Sequence, residues 1–341
     1  MIYRKHTGYD AFSCIADKCP ENCCSSWQIV IDEESLARYR KEGRTGIDYE
    51  EGTFLQKKGR CSMLRPDGLC SLQCELGEEA LCRTCRQYPR HTEEFEGERE
   101  YSLSLSCPEA ARLLLSMEEP MTFTETEDAE EESFEEYDYF LDSVLCSVRE
   151  CCYRIARDRS LPLPERFRRL LNLGEEVQQL ADSDRLCDVE ELLAGFSGTE
   201  AGTDYFRKPE EAFEILYSLE RLSDGWLEDL NRAVDFMENA DYRERKEQLL
   251  ERYRVPGEQL LMLFLYTYLR GAVYDGEIRS KIAFSVYSVK WIFDIFGGQP
   301  EDTPEMLCEI SWRYAREVEH SDENLMLVLR WLDGESEYAS R

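Results

Sequence analysis

Four cysteines stand within eleven residues, from Cys14 to Cys24, and this spacing limits what the chain can fold into more than any other feature. Ten of the fifteen cysteines lie in the first third of the 341 residues. Thiols so close in sequence are not explained by packing in a hydrophobic core. Their spacing indicates a metal or cluster site, a disulfide framework, or redox thiols.

The expected compartment separates these alternatives. The chain starts with MIYRKHTGYD, which lacks the apolar stretch of a signal peptide. Its longest apolar run, residues 260–269, is too short to span a bilayer. We therefore expect a cytoplasmic protein without a membrane span. Thiols stay reduced in the cytosol, and fifteen of them cannot all pair within one chain, so a metal or iron–sulfur site is favoured.

The charge of the chain restricts its partners. Asp and Glu total 72 against 41 Lys and Arg, which gives a formal net charge of −31. Nucleic-acid binding requires a cationic surface that displaces counterions from phosphates, so we expect no nucleic-acid partner. An acidic surface suits a basic, lysine-bearing protein, although acidity that serves only solubility is the alternative.

The pattern of residues predicts a mainly α-helical protein. We expect a cysteine-rich, metal- or cluster-binding module with a few short strands at 1–117, an acidic linker at 118–133, and an all-helical domain at 134–341. Short strands are predicted at 27–31 and 101–106, and Asp32 is expected to cap a short helix. The predicted helices after the linker are 134–159, 164–181, 185–195, 209–221, 224–239, 241–254, 257–275, 277–296, 302–320 and 322–333. The apolar run at 260–269 predicts a central buried helix.

The spacing of the later cysteines also suits a binding site. A Pro-Asp-Gly turn brings Cys61 and Cys70 together, and Cys82 and Cys85 share a helix face at i, i+3. Zinc sites and iron–sulfur clusters both use four thiolates. Only one CxxC is present and there are more thiols than one zinc needs, which favours iron–sulfur, with zinc as the alternative.

Other catalytic motifs are absent from the sequence. There is neither a GxGxxG nor a GxxxxGK[ST] motif, so no Rossmann or P-loop cofactor site is predicted. Among the histidines, His91 is the candidate ligand, and a surface histidine is the alternative. Arg90 and Arg112 follow cysteine segments and are candidates for binding a carboxylate, including that of an amino-acid-like cofactor. Pairing with the chain's own acids is the default for both arginines.

Several motifs in the first 115 residues resemble the flagellin lysine N-methylase family. The motifs are Cys14…Cys19…Cys23-Cys24-x-x-Trp27…Asp32, Gly68-Leu69-Cys70, Leu76-Gly77-Glu78, Cys85-Arg86-Gln87-Tyr88-Pro89-Arg90 and Leu103-Ser104-Leu105-Ser106-Cys107-Pro108-Glu109-Ala110-Ala111-Arg112. The resemblance implies methyl transfer from S-adenosylmethionine to lysine side chains of flagellin. It also implies a cysteine-bound iron–sulfur cluster, for which we expect the 4Fe-4S type.

By position, the resemblance implies eight ligand cysteines. They are Cys14, Cys19, Cys23, Cys24, Cys61, Cys70, Cys85 and Cys107. Cys74 and Cys82 are extra cysteines relative to that pattern. The reaction needs a carboxylate or a tyrosine that accepts the lysine proton, but the sequence does not identify that residue. A non-enzymatic zinc- or iron-binding module, which stabilises a small domain or sequesters metal, is the alternative function.

Overall fold

The fold is that of a computed structural model, which describes residues 1–25, 27–130, 132–196, 198 and 209–334. This part of the chain contains eight strands and fourteen α-helices. The strands are β1 (Ile2–His6), β2 (Ile47–Asp48), β3 (Thr53–Phe54), β4 (Gln56–Lys57), β5 (Arg60–Cys61), β6 (Arg90–Phe95), β7 (Glu98–Leu103) and β8 (Phe123–Glu127). The helices are α1 (Glu33–Lys41), α2 (Ser71–Leu76), α3 (Arg83–Gln87), α4 (Pro108–Leu115), α5 (Tyr139–Ala156), α6 (Leu163–Asp182), α7 (Val189–Gly195), α8 (Pro209–Ser218), α9 (Trp226–Met237), α10 (Tyr242–Arg252), α11 (Arg254–Tyr268), α12 (Ile278–Gly297), α13 (Pro304–Glu319) and α14 (Asp322–Asp333).

The larger sheet contains four strands in the order β6-β7-β1-β8. The N-terminal strand β1 pairs in parallel with β7 and antiparallel with β8, so that Ile2 lies opposite both Glu98 and Glu127. Strands β6 and β7 form a hairpin, and Gly97 in its turn has φ of +72°, a conformation that favours glycine. The start of the chain is therefore held between strands that come much later in the sequence.

The segment between β1 and β6 has short elements and a small core of its own. The core residues are Ile29, Ile31, Tyr39, Ile47, Phe54, Cys61, Met63, Leu72, Leu81 and Cys82. The predicted cap at Asp32 is confirmed, because its Oδ1 accepts a hydrogen bond from the backbone N–H of Ser35 at 3.0 Å. Its Oδ2 accepts from the N–H of Arg83 at 2.7 Å. One carboxylate therefore joins the start of α1 to the start of α3.

The prediction of helices after residue 134 is confirmed in the described part of the chain. Each of the ten predicted segments contains a helix, with bounds that differ by up to seven residues. Helices α11 and α12 lie at the centre, as the apolar run predicted, because every side chain from Leu260 to Leu265 is at most 4% exposed. None of the described helices is long and apolar enough to cross a membrane.

The sheet and the helices share a single core. Phe95 of β6 and Leu105 after β7 belong to the same cluster of buried side chains as the helical domain. A buried ion network crosses the same boundary, since Glu100 of β7 accepts hydrogen bonds from Arg149 of α5 and from Arg270. The two parts of the chain are thus packed together by apolar and ionic contacts.

The strands differ from the sequence predictions in three places. The strand predicted at 27–31 is wrong, because Val30 makes only an isolated bridge with Thr53. The strand predicted at 101–106 is instead β7, which ends at Leu103. Residues 123–127, inside the predicted linker 118–133, form the edge strand β8, and Glu131 of that linker lies outside the described residues. The partner of β8 is the distant β1, which no local pattern reveals.

Candidate active site

Six thiols from four chain segments come together in the N-terminal part, and we call them the six-thiol group. They are Cys23, Cys24, Cys61, Cys70, Cys82 and Cys85. Cys24 interacts electrostatically with Cys61 and Cys70. Cys85 interacts with Cys24, Cys70 and Cys82. The group includes Cys82, which the family pattern left as an extra cysteine, whereas the other extra cysteine, Cys74, is exposed beside Cys70.

A second set, the three-thiol group, lies beside the first. It comprises Cys14, Cys19 and Cys107. The thiol of Cys107, which is the N-cap residue of α4, interacts with those of Cys19 and Cys14. Cys19 also interacts with Cys23 of the six-thiol group. The eight cysteines implied by the family resemblance therefore fall into two neighbouring sets.

Hydrogen bonds between thiols favour ionisation within the six-thiol group. The hydrogen bond with Cys24 lowers the pKa of Cys23 to about 7, and the pKa of Cys24 is raised in turn. In the same way the hydrogen bond with Cys85 lowers the pKa of Cys82 to about 7. The thiolate is the form that binds metals. Each pair can thus supply one thiolate near neutral pH.

The donor set suits a thiolate-bound metal or cluster in its chemistry. All fifteen cysteines are free thiols in the structure. Within the described residues, however, no three or more His, Cys, Asp or Glu side chains are arranged to hold a metal ion. The choice of ligands from the two thiol groups, and the choice between iron–sulfur and zinc, therefore remain predictions.

Helix α13 fixes the position of both cysteine segments through Arg316. The guanidinium donates to the backbone oxygen of Asn22 at 2.9 Å and to that of Ser106 at 3.3 Å. It also pairs with Glu21 at 3.2 Å. Asn22 and Ser106 directly precede Cys23 and Cys107, and Glu21 lies in the loop between Cys19 and Cys23. A residue of the helical domain thus holds the loops that carry the thiols.

A cavity of about 860 Å³ lies between α4 and α13, and we call it the α4–α13 cavity. Residues 15, 20 and 21 from the first cysteine segment line it, as does Pro108, which follows Cys107. Trp312 and Glu317 contribute from α13. The volume is within the range of small-molecule sites. The cavity therefore adjoins the three-thiol group and opens between the two parts of the chain.

The candidate cofactor residues Arg90 and Arg112 line different cavities. Arg112 lines the α4–α13 cavity, but its guanidinium already makes two hydrogen bonds to Glu109, at 2.6 and 2.8 Å. Arg90 lines a separate cavity of about 690 Å³ and lies over the ring of Phe12, 5.2 Å from its centroid. His91 beside it pairs with Glu93 at 2.6 Å. The structure does not bring the two arginines together.

Comparison with known proteins gives the family. Residues 149–340 match the family described as FliB lysine N-methylase C-terminal domain, which is more than half of the chain. The chain belongs to the FliB lysine N-methylase family. The family resemblance stated from the sequence is therefore confirmed, and the match falls on the helical part and not on the cysteine motifs that suggested it.

Three relatives of this FliB-family chain are known by name. A lysine-N-methylase of Salmonella choleraesuis (strain SC-B67) and one of Salmonella typhimurium (strain LT2) are each 32% identical over 130 residues. The flagellar biosynthetic protein FliU of Salmonella muenchen is 31% identical over 130 residues and is covered to 77% of its length. The matched segment spans 33% of this chain and about a third, 32%, of each lysine-N-methylase. No solved structure matches the chain.

The sequence did not single out Glu317 of the FliB-family chain. It is one of 72 acidic residues and belongs to no motif. Its distinguishing property is burial, since it is 1% exposed although it lines a cavity. The only available sequence signal was its place on an amphipathic helix, and that signal predicts neither the burial of a carboxylate nor the cavity next to it.

Proposed function

We propose that this FliB-family chain transfers methyl groups from S-adenosylmethionine to lysine side chains of flagellin, and that it holds a 4Fe-4S cluster on its N-terminal thiols. Family membership and the names of the relatives support lysine methylation in a flagellar context. The main observation behind the proposal is the α4–α13 cavity, which lies between the three-thiol group and the carboxylates of helix α13. Reduced thiols also fit the cytoplasmic location that we propose.

The chain's own contribution to the reaction is to remove the proton of the substrate lysine, which leaves a neutral amine. A free lysine has a pKa of about 10.4, so only about 0.1% of it is unprotonated near pH 7.4. S-adenosylmethionine would supply an electrophilic methyl group on its sulfonium. The six-thiol group would hold the cluster, and the cluster would bind the amino-acid end of the donor. A proton acceptor on the protein and a lysine-binding surface are the remaining requirements.

The charge of the chain supports a lysine-bearing partner. The formal net charge is −31, so cationic side chains are attracted to the protein and phosphate backbones are repelled. Such attraction speeds encounter more than it tightens the final complex. Flagellin recognition should therefore weaken as ionic strength rises, because exposed charges are screened over about 8 Å at physiological salt.

The test is a methylation assay with metal-replete protein. The chain is purified without oxygen, its iron, sulfide and zinc are measured, and it is incubated with flagellin and isotope-labelled S-adenosylmethionine. Mass spectrometry should find the label on flagellin lysines, and none on flagellin whose lysines were acetylated beforehand. Iron-replete protein that transfers no label would refute the methylation proposal. Colourless, zinc-loaded protein without transfer would favour the non-enzymatic metal-binding module.

A further inference from the structure

Glu317 is a buried carboxylate with one unused oxygen. The residue is 1% exposed, and its Oε1 atom is buried with no hydrogen-bond partner. Its Oε2 accepts a hydrogen bond from the backbone N–H of Leu222 at 2.8 Å. Burial raises the pKa of Glu317 above its ordinary value. A buried acceptor left unpaired in this way is costly, so such an atom calls for a ligand or a functional explanation.

Glu317 is one of the residues that line the α4–α13 cavity. The same cavity is lined by Trp312, a residue that is 9% exposed. The guanidinium of Arg316 already lies 5.7 Å from the centroid of this ring, so the ring beside these carboxylates is a surrounding that accommodates a cation. The methylene chain of a lysine would at the same time bury apolar surface against the ring.

Two of the carboxylates that line the cavity have no ion-pair partner within the described part of the chain. Five carboxylates and three arginines line it: Glu21, Glu109, Glu305, Glu309, Glu317, Arg112, Arg313 and Arg316. Each arginine is paired with another of these residues, in the ion pairs Arg112–Glu109, Arg313–Glu309 and Arg316–Glu21. Among the described residues, Glu305 and Glu317 take part in no ion pair. Glu305 is exposed and Glu317 is buried, so one carboxylate is at the entrance and the other is inside.

We propose that the α4–α13 cavity receives the substrate lysine side chain and that Glu317 is the catalytic residue that accepts its proton. This inference rests on the proposed function and assigns a site to it. The Oε1 atom takes a proton from the ε-ammonium, which leaves a neutral amine with a free lone pair. The nitrogen then forms a bond to the donor methyl carbon as the carbon–sulfur bond breaks and its electron pair returns to sulfur. The protonated Glu317 afterwards releases its proton to solvent.

The raised pKa supports this role, because a carboxylate with a higher pKa is a stronger base. Hydrogen bonds from Ser223 and Leu222 and, to a smaller extent, the charge of Arg313 lower the pKa of Glu317, but burial is the larger effect. The cavity position supports it too, since Pro108 and Pro20 place the three-thiol group next to the same space. A lysine in the cavity would therefore reach a base on α13 close to the segment that carries the thiols.

The first test separates proton transfer from folding and from donor binding. Glu317→Gln is compared with the wild type for flagellin methylation, with donor binding and metal content measured alongside. We expect the rate at pH 7.5 to fall at least about 100-fold, with donor affinity unchanged. The residual rate should rise about tenfold per pH unit up to pH 9, because only amine deprotonated in solution still reacts. Glu317→Asp should recover part of the rate and keep the wild-type pH dependence.

A matched control is available two residues further along α13. Glu319 resembles Glu317 because it also has a buried oxygen without a hydrogen-bond partner and because burial raises its pKa to about 7. It differs because its other oxygen accepts a hydrogen bond from Tyr268 and because it does not line the cavity. Glu319→Gln should methylate within about threefold of the wild type. Full activity of Glu317→Gln, equal losses in both glutamine variants, or a loss confined to the Michaelis constant for the donor would each overturn the assignment.

A second test does not depend on methylation. Binding of Nα-acetyl-lysine methylamide to the full chain is measured by calorimetry against Nα-acetyl-norleucine methylamide, which lacks the amine. The wild type should prefer the lysine compound at least tenfold, and Glu317→Gln should lose that preference. If metal-loaded wild type transfers no methyl group, the proposed function fails, and this binding comparison still decides whether the cavity takes lysine. Equal binding of both compounds would refute the cavity assignment.

Discussion

Replacing Glu100 by glutamine should remove the central charge of the ion network between the sheet and the helices. Glu100 on β7 is 2% exposed. Its two oxygens accept hydrogen bonds from Arg149 at 2.6 and 2.7 Å and from Arg270 at 3.0 Å. Arg4 of the neighbouring strand lies 3.5 Å away. The variant would leave three guanidinium groups around an uncharged side chain.

The expected cost is set by the burial of the pair. Both Glu100 and Arg149 have side chains that are 1% exposed, so solvent does not screen the loss. Removing one partner of a buried ion pair typically costs about 3–5 kcal/mol, because the other charge is left buried without compensation. We therefore expect the free energy of unfolding of Glu100→Gln to fall by about that amount at pH 7.

The dependence of this effect on pH follows from the pKa of Glu100. Burial alone would raise that pKa, but the charges of Arg149, Arg270 and Arg4 outweigh burial and hold the pKa below its ordinary value. A carboxyl group with a lowered folded-state pKa contributes stability above its unfolded pKa of about 4.3. That contribution is lost as pH falls through the folded pKa. The difference in stability between wild type and variant should thus be complete at pH 7 and shrink below about pH 4.

The measurement is urea unfolding at pH 7, followed by circular dichroism and tryptophan fluorescence. Glu165→Gln is the matched control, since Glu165 pairs with Arg168 and Arg169 but its side chain is 28% exposed. Exposed pairs contribute about 0–1 kcal/mol, so the control should stay within that range. A Glu100→Gln protein within 1 kcal/mol of the wild type would refute the reasoning from burial.

Three further changes test other parts of the structure. Gly297→Ala should lower the free energy of unfolding by about 1–3 kcal/mol in thermal melts, because an added Cβ would clash with the ring of Phe236. Unchanged stability would contradict that clash. Asp32→Ala should cost about 1–2 kcal/mol in chemical denaturation through the lost helix cap, and no loss would count against it. Cys23→Ser and Cys85→Ser should each release bound metal, measured by elemental analysis, and destabilise the N-terminal part, measured by limited proteolysis. Full metal content in both variants would exclude these two cysteines as ligands.

Local patterns were sufficient for the helices. The apolar periodicity after residue 134 and the punctuation by proline and glycine predicted each helix there, because a helix is stabilised by contacts between residues three or four apart. The cap at Asp32 was predictable for the same reason, since the cap and the helix it serves are adjacent in sequence. The strand predicted at 27–31 failed because a strand needs a partner, and alternation of side chains does not supply one.

The family was also evident from the sequence, because the cysteine motifs are short and contiguous. The sequence left open which thiols lie together. Cys85 lies with Cys82, Cys24 and Cys70 only because three separate segments pack around one small core. Spacing along the chain does not determine distances between segments that fold against each other.

What the sequence by itself determined was the helical class, the helix positions and the concentration of thiols at the N-terminal end. Only the tertiary structure decided that β1 lies between β7 and β8, that Glu100 is enclosed by arginines, and that Glu317 lies beside a cavity. Each of these features depends on residues far apart in sequence that pack against one another. Burial then determines the pKa and the ion pairing of Glu100 and Glu317, since either carboxylate would be an ordinary solvated charge on the surface.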